Sequence, residues 1–548
     1  MNDYTLFTRM EMAKNQNLYK IVVVVLLVFA AWMQFYGMDT IVLGSDELYR
    51  ARTLLGPDWS LHHFVWPEDA QRTYFSNWPM HTPVLFGLLT RAAVIMFGEN
   101  HFALRFWPSL FAILSTAAIF FLFRSVYNRG WAWLTIVLSG MIADKMLVNA
   151  KALKHYTADI FFCSLILLFA YRIWQYNQKR DWVLFTLVSG TGIWLAFGTL
   201  FTAASAFAVL FFVLIWRQKT GTQLAGAWRN FFVSAGVFGL SLAGLYFASI
   251  QQAVSNDSFL THISRSGTQL FDWSRWHEIS YVGYYLARLA YQAVKLPVYF
   301  FNDSWIWGMA VNVLIAWAIY IHIKQKKWPL LGFYFLPMLL PLAASFVGNF
   351  PFTANRLLLY MLPAYVVLSV YGIRDVFGRL RPDRKMIKLA VAMLLFIPIG
   401  LTGYDNMMQV CHLKYAGGRH VDELAHTLVD SAQDGDTVYL HWGAILPFWV
   451  YATDHPAGYP KQIDLDGKGN LYVIYGHELA DDMAAYERHF GELAHIEGRL
   501  WVAFGHLYPT EEMKRLKTIL QTERRLLQTM DFKGCQLLLY SQVNTEVN

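Results

Sequence analysis

Apolar runs of about 17–25 residues, each long enough to cross a bilayer, recur along this chain from residue 20 to residue 405. No other feature constrains the fold as much. Hydrocarbon offers no partner to a backbone amide or carbonyl, so each run must satisfy its hydrogen bonds internally, as a helix does. The composition agrees: 15% of residues are charged, against about 25% in soluble domains. The expectation is an all-α polytopic membrane protein with about twelve transmembrane helices, followed by a small soluble α/β domain.

The net charge of +7 does not call for nucleic acid. Much of the positive charge falls in short connectors between apolar runs, as the positive-inside rule expects. Arg9, Lys14 and Lys20 precede a run starting at Ile21 that is too long for a signal-peptide core, and it reads as an uncleaved anchor. The start of the chain is then cytoplasmic and residue 46 faces outward. Lys179 with Arg180, Arg217 to Arg229, Lys324 to Lys327 and Arg379 to Lys385 read as cytoplasmic. The same alternation puts Lys151 to Asp159 and everything after about residue 406 outside. It leaves a conflict at 82–97, which is either a re-entrant segment, an interfacial one, or a run whose boundaries differ from those read here. Cys163, Cys411 and Cys535 form no metal-ligand spacing; a Cys411–Cys535 disulfide is an open alternative to free thiols.

Residues 1–407 thus form a transmembrane module with two polar, aromatic outer loops, 44–81 and 251–302. The first loop opens with SDELYRARTLL, readable as a short amphipathic helix with Asp46 near its amino end, where the helix dipole favours a carboxylate. The second is dense in Trp and Tyr, which suits a loop at headgroup level. From residue 408 the composition turns polar. Runs such as TVYLHW, LYVIYG and RLWVAFG read as strands, alternating with helical patterns at 421–432, 478–492 and 510–528.

Four places carry groups fit for chemistry. Asp46 and Glu47 are either solvated loop acids or, lying just past an anchor helix among stacking aromatics, a general base and its neighbour. In KALKHYTAD (151–159), helical spacing puts Lys151, His155 and Asp159 on one face with Lys154 beside them. Lys154 and Tyr156 are assigned to substrate binding there, against the plainer reading of a surface turn with a local ion pair. Arg356, in FPFTANRLLLYMLP, opens a span on the outward side, where it either grips a phosphate through paired hydrogen bonds or snorkels to headgroups. His81, in NWPMHTP, is substrate-binding or structural. No GxxxxGK[ST], GxGxxG, HExxH or paired CxxC is present, so neither a nucleotide nor a metal finds support.

SDELYRAR, NWPMHTPVLFGLL, FALRFWPSLFAIL, KALKHYTADIFF and FPFTANRLLLYMLPAY resemble, in order, segments of the polytopic GT-C glycosyltransferases, the superfamily of protein O-mannosyltransferases and aminoarabinose transferases. The resemblance implies a hexosyl- or pentosyltransferase of the bacterial inner membrane, with its site and tail facing the periplasm. The donor would be a polyprenyl-phosphate-linked sugar and the acceptor a lipid, glycan or protein. It casts Asp46 as the base, Asp159 as a second acid and His81 at a phosphate-binding position that carries lysine in related aminoarabinose transferases. Neither a metal nor another cofactor is carried over; the lipid-linked donor is a co-substrate. Direct displacement predicts inversion. The rival readings are a flippase or transporter of a lipid-linked glycan, an O-antigen ligase or polymerase, and a receptor or scaffold.

Overall fold

A computed structural model describes residues 3–38, 47, 50–51, 83–98, 100–127, 129–222, 226–250, 273–301, 303–346, 352–380, 385–412, 420–452, 461–464, 469–476, 483–505, 511–532 and 534–542. These residues fall into two compact units. One takes residues from 3–38, 83–92 and 105–412; the other takes 93–104 and 420–542 with Glu47, Arg50 and Ala51.

The first unit is helical. Its elements begin with α1 (Asp3–Phe35), α2 (Val84–Phe97, of which 93–97 fall in the second unit), α3 (His101–Val126, of which 101–104 fall in the second unit), α4 (Ala132–Val137), α5 (Asp144–Ala150), α6 (Tyr156–Tyr176) and α7 (Lys179–Leu195). They continue with α8 (Thr199–Lys219), α9 (Ala227–Leu245), α10 (Ile279–Phe300), α11 (Trp305–Lys324), α12 (Trp328–Phe346), α13 (Leu362–Arg379) and α14 (Lys385–Cys411). Among the described residues nine helices are long and apolar enough to cross a membrane, or ten if α4 and α5 form one broken span. That is fewer than the roughly twelve expected; α7 and α10, of 17 and 22 residues, are not among them. At 14 residues, α2 is about 21 Å long. That falls short of a hydrocarbon core of about 30 Å.

Helices that are apolar on every face bury one side against each other and leave the other to lipid. On α9, Phe231 and Phe238 are buried while Phe232, Val237 and Leu240 are exposed. The exception is α13, which is almost wholly buried. Its Gly372 lies where a Cβ would meet the Leu314 carbonyl oxygen of α11 at 2.6 Å, the close backbone approach that small residues permit between membrane helices. The stretch 251–302 is not a loop throughout: residues 279–300 form α10. Tyr281, Tyr285, Leu289 and Leu296 bury one stripe of it, a helical period that the density of aromatics masks in the sequence.

The second unit carries a six-stranded mixed sheet: β1 (Thr437–Leu440), β2 (Gln462–Asp464), β3 (Asn470–Tyr475), β4 (Leu500–Phe504), β5 (Arg524–Phe532) and β6 (Cys535–Gln542), in the order β2-β3-β1-β4-β6-β5. The pairs β3–β1 and β1–β4 are parallel and the outer pairs antiparallel. Strand alternation divides the core in two. Val438, Leu440, Trp501, Ala503, Leu537 and Leu539 pack on one face with α15 (Val421–Ser431) and α16 (Trp442–Ala452). On the other face, Tyr439, Leu500, Val502, Leu538 and Tyr540 pack with α17 (Met483–Ala494) and α18 (Glu511–Glu523). The helix expected over 510–528 stops at Glu523, because residues 524–532 pair with β6 as its antiparallel edge strand. Cys411 and Cys535 are free thiols.

Candidate functional site

Among the described residues the helical unit contains one broken span, and Lys151, Lys154, His155, Tyr156 and Asp159 follow just beyond the break. After α4 the chain makes a π-helical turn, Leu138–Ile142, then leaves helical geometry at Ala143 (φ −72°, ψ 85°) and restarts as α5 after a bend of 60°. A break inside a bundle strands carbonyls that water cannot reach. Asn406 of α14 meets them, its Nδ2 donating to the Met141 and Ile142 oxygens at 2.9 and 3.1 Å.

Residues 151–155 form a turn between α5 and α6. Helix α3 holds this turn through short polar side chains. Ser109 Oγ donates to the Ala150 oxygen at 2.8 Å, Thr157 Oγ1 to the Pro108 oxygen at 2.8 Å, and Ser115 Oγ to the Thr157 oxygen at 3.0 Å. Lys151 Nζ donates to the Tyr36 oxygen of α1 at 2.9 Å, and burial pushes its ammonium down to about 8. Helical geometry begins only at Tyr156, so Lys151 does not share the face expected for it. His155 and Asp159 do.

Asp159 is buried, and Asp159 Oδ1 accepts a 2.6 Å hydrogen bond from the Gly198 amide at the start of α8. Its other oxygen lies 3.7 Å from His155 Nε2. The His155 ring sits among Tyr156, Phe197 and Phe86, at centroid distances of 4.7, 5.4 and 6.2 Å. Lys154 and Tyr156 are both buried.

Arg356 opens a 3-10 turn, Arg356–Met361, that leads into α13, and Asn355 caps it by accepting the Leu357 amide. The guanidinium of Arg356 lies 5.8 Å from the Tyr156 ring centroid, within cation–π range. So Arg356, distant in sequence, meets Tyr156 at the start of α6, beside the turn that carries Lys154 and His155 and one turn of helix before Asp159.

Four residues here carried no mark in the sequence. Lys145 Nζ bridges Asp144 and Asp303 at 3.0 and 2.6 Å and stands 5.3 Å from the Tyr299 ring centroid. ADKM at the start of α5 is an acid–base pair in an apolar run, and that was the available signal; its partners on α10 and after it were not legible. Glu47 is half-buried in helical backbone of the second unit. Asp46 and His81 lie outside the described residues. Among the described residues no three His, Cys, Asp or Glu side chains converge as a metal site.

No family model matches the chain, and no curated protein matches it. Solved structures do. The archaeal oligosaccharyltransferase AglB from Archaeoglobus fulgidus, in complex with an inhibitory peptide and a dolichol-phosphate, aligns at TM-score 0.51 and 12% identity, over 97% of this chain and 75% of that one. ArnT from Cupriavidus metallidurans bound to undecaprenyl phosphate aligns at TM-score 0.47 and 12% identity, over 95% and 98%. Against the Archaeoglobus oligosaccharyltransferase in complex with Zn and sulfate (TM-score 0.47, 14% identity, 78% of this chain), the chain spans 61% of the length. What is shared is the fold: the chain has a polytopic helical architecture similar to that of the archaeal oligosaccharyltransferase.

Proposed function

We propose that this protein is a membrane glycosyltransferase that moves a sugar from a polyprenyl-phosphate-linked donor to an acceptor hydroxyl on the outer face of a bacterial inner membrane. The observation that carries the reading is the meeting of Arg356 with Tyr156 beside Lys154, His155 and Asp159, within a GT-C fold. A cation beside an aromatic face suits a phosphorylated, ring-bearing ligand. AglB, similar in fold, was solved with a dolichol-phosphate.

In the proposed reaction the acceptor oxygen attacks the anomeric carbon as the bond from that carbon to the donor phosphate breaks. Asp46 takes the acceptor proton, and the lipid phosphate leaves with the bonding electrons. The sugar passes through an oxocarbenium-like state, as in glycoside hydrolysis, and a single displacement inverts the anomeric centre. Arg356, Lys154 and His81 face the charge growing on the phosphate; Tyr156 contributes an apolar face to the donor. Asp159 orients His155, and Glu47 supports Asp46.

Purified protein supplied with a radiolabelled polyprenyl-phosphate sugar and a membrane extract tests this directly. Wild type is expected to transfer label and Asp46→Asn to lose it. Equal transfer by both removes Asp46 as base, and no transfer from any donor sinks the transferase reading in favour of a flippase or transporter.

A further inference from the structure

A concave site lies at the other end of α13, about 27 Å of helix away from the Arg356 turn. Its cavity, of about 420 Å³, is lined by Tyr127, Gln325, Lys327, Tyr371, Arg374 and Asp375, among others. These come from the ends of α3 and α13 and from the α11–α12 connection. The proposed transfer reaction uses none of them.

Charge in this cavity is unbalanced. Its carboxylate, Asp375, is already engaged: Arg379 Nε donates to Oδ2 at 2.5 Å and Trp317 Nε1 to the same oxygen at 2.9 Å. Lys327 and Arg374 remain, both half-buried, and among the described residues neither makes an ion pair with a carboxylate. Burial, and then the Arg374 charge, hold the Lys327 ammonium below its ordinary range. Two like charges held together in partly desolvated space raise the energy of the empty cavity, and an anion between them reverses the sign of that cost.

The surroundings fix the guanidinium. Arg374 Nη1 donates to the Tyr127 carbonyl oxygen at 3.1 Å, and its plane lies 5.9 Å from the Tyr371 ring centroid, which leaves further N–H donors. Tyr127 is set in turn. His322 Nδ1 donates to the Ala318 oxygen at 2.6 Å, so its Nε2 accepts the Tyr127 hydroxyl at 2.8 Å. The Tyr127 and Tyr371 rings pack at 4.4 Å. A guanidinium held by backbone and aromatic contacts beside a compact ammonium is a preorganised receptor for tetrahedral oxyanions.

We propose that this cavity binds a phosphate-bearing anion between the Lys327 ammonium and the Arg374 guanidinium. The phosphate belongs either to an anionic lipid headgroup or to a free phosphate. The site does not depend on the glycosyltransferase reading.

Native mass spectrometry of the purified full-length protein tests it, with phosphatidylglycerol, phosphatidylcholine and inorganic phosphate as probes. Wild type is expected to prefer phosphatidylglycerol over phosphatidylcholine, or to bind inorganic phosphate. Lys327→Gln and Arg374→Gln should each weaken that binding at least about tenfold, the worth of one charge-assisted hydrogen bond. Lys327→Arg should restore most of it, which separates lost charge from lost fold. Lys324→Gln, at an exposed position just before the same connection, should change nothing. Phosphatidylglycerol binding that inorganic phosphate does not displace identifies a headgroup; displacement identifies the free anion. Two results overturn the proposal: no preference for phosphatidylglycerol together with no phosphate binding, or equal losses in Lys324→Gln and Lys327→Gln.

Discussion

The amide of Gly198 donates to Asp159 Oδ1 at 2.6 Å, and the Tyr360 ring lies over that glycine so closely that a Cβ would fall 2.6–2.7 Å from its carbons. Glycine is needed here for space, since its φ of −61° suits any residue. The buried acid, the bare backbone that satisfies it and the ring that covers both come from α6, α8 and the 3-10 turn headed by Arg356. They form one packed assembly.

Gly198→Ala is therefore expected to destabilise by about 1–3 kcal/mol, the usual cost of overpacking a core. It should also lower transfer activity, because the added methyl moves either Tyr360 or the Asp159 acceptor. A second change, Tyr360→Ala, opens the space and should recover part of the melting temperature. If the double variant melts no higher than Tyr360→Ala combined additively with Gly198→Ala, the two residues are not coupled as described.

Asp159→Asn keeps an oxygen for the Gly198 amide but puts an amide group where the second carboxyl oxygen faces His155. Stability should change little while kcat falls about tenfold, which corresponds to about 1.4 kcal/mol of lost orientation of His155. Circular dichroism melting and label transfer measured on one preparation separate the two effects.

Arg356→Ala should weaken donor binding about tenfold or more with the fold intact, since Arg356 is exposed at the head of its turn. Arg356→Lys keeps charge but not the fork, and should recover only part of the affinity. The measurement is the donor dissociation constant. An unchanged value in Arg356→Ala would remove this residue from donor binding.

Asn406→Leu tests the broken span. It leaves the Met141 and Ile142 carbonyls without the side chain that meets them, and is expected to cost about 2 kcal/mol or more. Asn406→Gln should cost less if its longer amide reaches the same oxygens. Melting temperature in a fixed detergent reports the order.

The second unit should lose stability in acid. Burial holds His441, packed 5.4 Å from the Phe504 ring, down to about 4, below its unfolded value of about 6.5. Above about pH 6.5 both states are neutral and the stability is fully present. As pH falls from there toward 4, the unfolded chain takes up a proton that the folded one refuses, with a loss of about 2–3 kcal/mol. Hydrogen exchange in residues 437–542 of the whole protein should show protection falling across that window, and less so in His441→Leu.

Much of this was legible because membrane folding obeys a simple rule. A run that must satisfy its own backbone is a helix, so the helical module, the short segment at 84–97 and the change to an α/β tail were visible in composition and length alone. His155 with Asp159 was visible too, as an i, i+4 pair. Period and partner were harder. The amphipathic stripe of α10 hid beneath its aromatics, and residues 524–528, the end of the helical pattern at 510–528, belong to a strand paired with β6.

The sequence by itself determined which stretches are helices in a membrane and which side chains could act, because apolar length and residue chemistry are local properties. Only the tertiary structure decided that Arg356 meets Tyr156, that Asp144, Lys145 and Asp303 form one cluster, and that Asp159 answers to the amide of Gly198. Those are contacts between residues 39 to about 200 positions apart. They are set by how helices that look alike in hydropathy pack against one another, and no local pattern encodes that choice.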